Sequence, residues 1–308
     1  MALEHKLAYI RRRNWKDIRS SWMQHIPQFL SLAPKPDPGL EKLETLKKDT
    51  LPKKFDLPMT VTDPDGIRSN ALWEAVFLFH KCAHTSLAAQ RLGEQGMHSW
   101  AIFNAYHSAY LGAKGIAEML GVVALDIPGR PTVLLDFFPE SEPPLKAKRP
   151  VLVEKFNEVT VIPLEHDLDQ QGLWQMFQRL IRVSNVSCWS QQLHKDLKNI
   201  AHTKITPPRN AFLYKAQHWP LDDMTQDVTP ATMGLLVGTD LLVEDTGFLL
   251  RLCFSVYRLF EQLIADLSAD SAVIKRQLEG SRIFVNEELS VLESYKHFVS
   301  QVSAAGAA

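Results

Sequence analysis

Apolar positions in residues 3–32 recur at helical spacing. Leu3, Leu7, Ile10, Ile18, Trp22, Ile26 and Phe29 fall largely on one side, while Arg11, Arg12, Arg13, Lys16 and Arg19 crowd the remainder. One helix is predicted there. It ends at Pro34-Lys35-Pro36-Asp37-Pro38-Gly39, a run that cannot continue a helix and reads as a stiff linker. A charged helical piece over 40–48 and extended residues around 55–61 follow, and Asp63-Pro64-Asp65-Gly66 is a turn signal. Ser69 or Asn70 can then cap a helix running to about Gly93, with Glu74 in its first turn and Leu72, Val76, Phe79, Ala83 and Leu87 on its apolar side. The connection Gly93-Glu94-Gln95-Gly96 leads to a second long helix from about Ser99 to Leu120, and Gly121 suits the left-handed stop position. So short a connection joins antiparallel neighbours, which predicts an αα-hairpin.

The pattern changes over 125–150, where Pro128, Pro131, Pro139, Pro143, Pro144 and Pro150 separate β-like runs. Residues 132–138 and 159–162 are the best strands, and the acidic-and-histidine stretch Glu165-His166-Asp167 follows them. Helical patterns resume at about 173–183, 189–200, 248–267 and 287–302, and Thr206-Pro207-Pro208 is a helix start. The expectation is a mainly α protein, an up-and-down helical bundle with a small β-containing insertion. An N-terminal helical arm and linker would occupy 1–60 and a helical domain 66–308, with the insertion at 125–165.

Composition narrows the function. The chain has 308 residues, with 34 Lys+Arg against 35 Asp+Glu and 45% hydrophobic residues, so a disordered or histone-like basic protein is excluded. Cys82, Cys188 and Cys253 are widely separated and odd in number, which argues for buried thiols in a reducing, cytoplasmic setting. The N-terminal segment is charged from Glu4 onward and lacks the apolar core of a secretory signal. The apolar stretch 241–267 is interrupted by Glu244, Asp245, Arg251, Arg258, Glu261 and Asp266, so no membrane association is expected. Phosphate-loop, dinucleotide-fold, zinc-protease and serine-hydrolase motifs are all missing, and no cofactor is implied.

Residues 100–121 place small side chains at 101, 105, 109, 112 and 113, with Phe103, Tyr106 and Tyr110 expected to fill space between backbones. With Ala113-Lys114 and the closing Leu120-Gly121, this stretch resembles the second helix of HEPN-family domains. The length and β-containing insertion are similar to the YaaC-like branch near that group. The resemblance is close over some 25 residues and extends by helix order over about 140. It implies a helical bundle, often a homodimer or paired with a partner protein, in bacterial defence, toxin–antitoxin or RNA-processing systems. Many such domains are metal-independent ribonucleases whose motif is an Arg, often followed by Asn, with a His about five positions after the Arg. Guanidinium neutralises the scissile phosphate and imidazole moves protons. Arg209-Asn210 match that motif, while Tyr214 stands at the histidine position, and a phenol is a poor base at neutral pH. His218, nine residues on, or His202, just ahead of the helix, are the substitutes within reach.

Two further features carry candidate chemistry. His80 and His84 lie four apart on one helical face, and His107 from the antiparallel helix would complete a three-histidine metal site. The run Arg11-Arg12-Arg13 with Lys16 and Arg19, and the clusters Lys47-Lys48, Lys53-Lys54 and Lys146, Lys148 and Arg149, read as solvated faces or phosphate contacts. Trp15 and Trp22 beside the first run read as buried anchors. Two functions follow from the resemblance: an accessory or assembly subunit that binds protein or RNA with a degenerate motif, or an active metal-independent ribonuclease.

Overall fold

The computed structural model describes residues 3–10, 12–31, 58–62, 67–95, 97–127, 130–138, 158–200, 205, 240–276 and 278–279. The fold is mainly α with a small sheet. The chain divides into two compact units, Met1–Val76 with Lys114–Trp189, and Phe77–Ala113 with Ser190–Ala308. The long helices α3 (Ile67–Glu94) and α4 (His98–Met119) each contribute to both.

In the first unit the expected single N-terminal helix is two: α1 (Leu3–Leu7) and α2 (Trp15–Ser31), separated by a turn and the short strand β1 (Arg13–Asn14). The break has a tertiary cause. The carbonyl of Ile10, which a continuous helix would pair with a backbone N–H, accepts instead from Nε and Nη2 of Arg179 at 3.1 and 2.9 Å. The apolar stripe survives the break: Leu7, Ile10, Trp15, Ile18, Trp22 and Ile26 are all buried. Trp22 donates its indole N–H to the carbonyl of Met119 at 2.8 Å and meets the ring edges of Phe137 and Phe138, so it is an anchor.

Strands β2 (Met59–Thr62), β3 (Val122–Ile127), β4 (Arg130–Asp136) and β5 (Glu158–Pro163) form an antiparallel sheet in the order β2-β5-β4-β3. Leu134 pairs with Ala124 and Ile162, and Leu135 with Val123 and Val161. Consecutive residues Thr132 to Phe137 are buried, so β4 is covered on both faces, as its unbroken apolar run requires. β2 precedes residues 63–66, for which the sequence predicts a turn, yet pairs with β5 of the segment expected as an insertion. β3 was not foreseen. Gly121, with φ of +83°, turns the chain from the end of α4 directly into it, and a Cβ at that position would run into the Phe138 ring. Helix α5 (Gln170–Val183) is capped by Asp169, whose side chain accepts from the Gly172 N–H at 2.6 Å. It buries Leu173, Trp174, Met176, Phe177, Leu180 and Ile181, and runs into β6 (Ser184–Asn185), which pairs in parallel with β1.

Arg13 was expected on a solvated or phosphate-binding face; it is buried. Its Nη2 lies 2.9 Å from Asp136 Oδ2, and its Nη1 lies 3.3 Å from Oδ1 and 2.8 Å from the carbonyl of Leu120. Asp136 also accepts from the Phe138 N–H at 3.0 Å. A second buried cation, Arg68, stands over the rings of Phe137 and Phe138 at 5.6 and 5.3 Å. Arg68 lies in the first turn of α3, and the helix begins at Ile67, so Ser69 and Asn70 sit inside it and do not cap it.

The second unit is built by close approach of helices. Ala101, Ala105, Ala109, Gly112 and Ala113 of α4 are buried as expected. A Cβ on Gly112 would lie 2.6 Å from Val256 Cγ1 of α7 (Asp240–Ser268) and 3.0 Å from Cys82 Sγ of α3, so only glycine allows this approach without a shift. Ser108 Oγ donates to the Cys82 carbonyl at 2.8 Å, tying α4 to α3. Phe79 stacks on Tyr257 and meets the Phe260 ring edge-on at 5.3 Å. Helix α6 (Gln191–Asn199) follows Ser190, whose N–H donates to Gln262 Oε1 of α7 at 2.9 Å. Arg258 of α7 is exposed and ion-pairs with Glu261 one turn on. Among the described residues no helix is long and apolar enough to cross a membrane.

Replacing Arg13 by Ala strands the Asp136 carboxylate in the core, at an expected cost of about 3–5 kcal/mol. The double variant Arg13→Met/Asp136→Leu should recover much of that loss. Urea denaturation midpoints measure both; equal stability of wild type and Arg13→Ala would show that the pair does not hold the fold.

Candidate functional site

Arg209, Asn210, Tyr214, His202 and His218 all lie outside the described residues, as do the basic clusters at 47–54 and 146–149 and the helix expected over 287–302. The three histidines are described. His80 is half-buried beside the Phe79 ring, while His84 and His107 are exposed. His107 lies parallel to two rings of its own helix, Phe103 at 6.1 Å and Tyr110 at 6.5 Å. Among the described residues no group of three or more His, Cys, Asp or Glu is placed to hold a metal ion, so the expected three-histidine site does not form there.

The same region holds an arrangement that the spacing did not reveal as a surface. Phe103 and Tyr110, expected to fill space between backbones, are only half-buried; of the three aromatics named there, Tyr106 alone is fully buried. They form a row with Trp100 and His107, at steps of three, four and three residues, along the outward side of α4. Trp100 meets Phe103 edge-on at 6.1 Å, and the planes of Phe103, His107 and Tyr110 depart from one another by 7° and 12°. On α3 an outward row at steps of four and three is Phe77, Lys81 and His84, all exposed. Phe77 is 48% exposed and Trp100 43%, large apolar areas left to solvent. The spacing was readable in the sequence.

Cys82 and Cys253 are buried free thiols next to hydroxyls, Cys82 Sγ 3.4 Å from Ser108 Oγ and Cys253 Sγ 3.5 Å from Ser86 Oγ. Burial, and for Cys82 also the neighbouring Cys253, pushes both thiols above the ordinary cysteine range. Thiols held protonated in this way are packing groups and not nucleophiles.

In the first unit, Glu118 is 1% exposed and neither carboxylate oxygen accepts a hydrogen bond. The Lys114 ammonium is 3.7 Å away, and it donates to Glu74 at 2.7 Å. Burial, reinforced by the Glu74 charge and only partly opposed by Lys114, raises the Glu118 carboxyl well above the usual carboxylate range. His25 moves the opposite way for a cation, lowered first by burial and then by Arg68. The stretch Glu165-His166-Asp167 borders an open pocket of about 200 Å³ at the start of α5. Its acids there serve the fold: Asp167 accepts from Thr132 Oγ1 at 3.3 Å, and Asp169 caps the helix. No protein-family model, curated protein or solved structure matches the chain.

Glu118 yields a pH test. The folded protein holds this proton more tightly than the unfolded chain, so its favourable contribution is complete below the unfolded carboxyl value of 4.5 and is lost as pH rises through the raised value. Glu118→Gln removes that titration. Wild type should therefore lose stability relative to the variant over the range from the unfolded carboxyl value up to the raised one. Urea midpoints for both that run parallel across this range would show that Glu118 does not titrate within it.

Proposed function

We propose that this protein is a HEPN-like accessory or assembly subunit that binds a partner protein or RNA without catalysing a reaction, in a bacterial defence or toxin–antitoxin type of system. The observation carrying this reading is the row of solvent-facing aromatics on the hairpin, with Phe77 and Trp100 roughly half exposed. Exposed aromatic area of this kind is characteristic of binding surfaces. Several described titratable groups are committed to packing or to the fold: burial raises the Cys82 and Cys253 thiols, Glu118 is sealed from solvent, and Asp167 and Asp169 are engaged in hydrogen bonds. Tyr214 in place of a histidine after Arg209-Asn210 further supports a degenerate motif.

The test is RNA cleavage in the presence of a chelator, by the purified full chain and by Arg209→Ala. Both should show only the background rate. Cleavage by the wild type that Arg209→Ala abolishes would overturn the accessory reading in favour of the ribonuclease. Light scattering at micromolar concentration should show a dimer or larger assembly, or a complex once the partner is supplied.

A further inference from the structure

The clamp that breaks the N-terminal helix also gathers positive charge. Nε and Nη2 of Arg179 both donate to the Ile10 carbonyl, at 3.1 and 2.9 Å. This holds the guanidinium against the N-terminal arm and leaves its Nη1 without a partner among the described residues. Arg182 follows three positions on, one turn along the same side of α5, and is exposed. The parallel register of Arg13 with Ser184 sets Arg12, also exposed, beside the last turn of α5. Arg12 and Arg182 form no hydrogen bond or ion pair with another described residue.

Acids are scarce in both segments that meet here. Residues 8–26 hold five lysines and arginines against one acid, Asp17, and residues 170–190 hold Arg179 and Arg182 and no acid. Asp17 is exposed and forms no ion pair among the described residues. Asp136 answers Arg13, but no described carboxylate pairs with Arg179. Burial, then Arg13, then Arg182 push the Arg179 guanidinium below its ordinary value, so like charges crowd a half-buried cation. The carbonyl end of α5 offsets part of this, yet a helix C-terminus is equivalent to only about half an elementary charge. The excess selects a ligand. A carboxylate has one charge and two oxygens in one plane, and a single arginine fork satisfies it. Donors on separate guanidiniums from two segments match an anion with more than one charge and oxygens pointing several ways. Phosphate meets both conditions, and the weakly hydrated guanidinium pairs with it through two N–H groups at once.

We infer that Arg179 and Arg182 of α5, with Arg12 of the N-terminal arm, form a binding site for the phosphate groups of a small anion. The inference goes beyond the accessory-subunit reading and does not rest on it. It involves neither the aromatic rows of the hairpin nor the Arg209 motif.

The experiment is isothermal titration calorimetry on the full chain with inorganic pyrophosphate, adenosine diphosphate and citrate. The first two separate a free phosphate anion from an esterified one, and citrate offers comparable charge through carboxylates. At least one phosphate compound should bind more tightly than citrate, and its affinity should fall as salt rises. Arg182→Ala should weaken that binding about tenfold or more, the effect of losing charge-assisted hydrogen bonds. Arg182→Lys, which keeps the charge without the planar fork, should fall between that variant and wild type. Arg12→Ala should weaken it as well. Lys195→Ala removes an exposed charge from α6 and should leave the affinity unchanged. An unchanged thermal melt by circular dichroism confirms that each variant folds; should Arg182→Ala melt early, Arg182→Lys carries the comparison. Preference for pyrophosphate or for the nucleotide identifies the source of the phosphate and supports the inference. Binding of neither, citrate binding as tightly as both, or equal affinity of wild type and Arg182→Ala would overturn it. So would an equal loss in Lys195→Ala, since the anion would then follow overall charge and not this site.

Discussion

The contact between Arg13 and Asp136 joins parts of the first unit that lie far apart in sequence. Arg13 reaches Leu120 across 107 positions and Asp136 across 123. One guanidinium thereby fastens the N-terminal arm to the end of α4 and to the last residue of β4. Burying two charges is tolerable only when their remaining hydrogen-bonding capacity is met. Here the Leu120 carbonyl and the Phe138 N–H meet part of it, and those same groups flank the Gly121 turn and the end of β4. The orphan carbonyls that every helix leaves at its C-terminus are answered at this point by an arginine from another segment. Arg68 on Phe137 and Phe138, and the Trp22 indole on Met119, converge on the same junction.

The second unit reaches its packing by other means. Glycine and alanine on α4 let α3 and α7 come close, and thiols and hydroxyls are buried between them. Small residues on the inward side and large rings on the outward side of one helix are two halves of a single arrangement. With that space given up to close backbone approach, Tyr106 is fully buried, while Trp100 is exposed and Phe103 and Tyr110 are half-buried.

What the sequence made legible was local. The hairpin, its Gly121 stop, the small-residue stripe and the Trp15 and Trp22 anchors each follow from spacing within a few turns of helix; of the three thiols expected to be buried, Cys82 and Cys253 are, and Cys188 is half-buried. What it concealed depended on distant partners. Arg12 and Lys16 are exposed as a solvated face requires, but Arg13 departs from it because nothing near it in sequence reveals Asp136. The predicted N-terminal helix gave way because Arg179 takes the Ile10 carbonyl, a contact 169 positions away. The histidines looked like ligands at i and i+4, yet the neighbours of His107 are rings of its own helix. Of the candidate site, the Arg209 motif could be read only as a pattern of residue types, and its geometry lies beyond the described part of the chain.

Strand β2 stands before the predicted turn at Asp63-Pro64-Asp65-Gly66, in what reads as a detachable leader, yet it forms the outer edge of the sheet against β5. Shortening the chain to begin after that turn would uncover a row of β5 backbone donors and acceptors, a template for adhesion between molecules. It would also leave Asp136 without its counter-ion. A trimmed protein made from the apparent domain boundary should therefore be sticky and poorly folded, and insolubility in such a fragment would say nothing about the binding properties of the intact molecule.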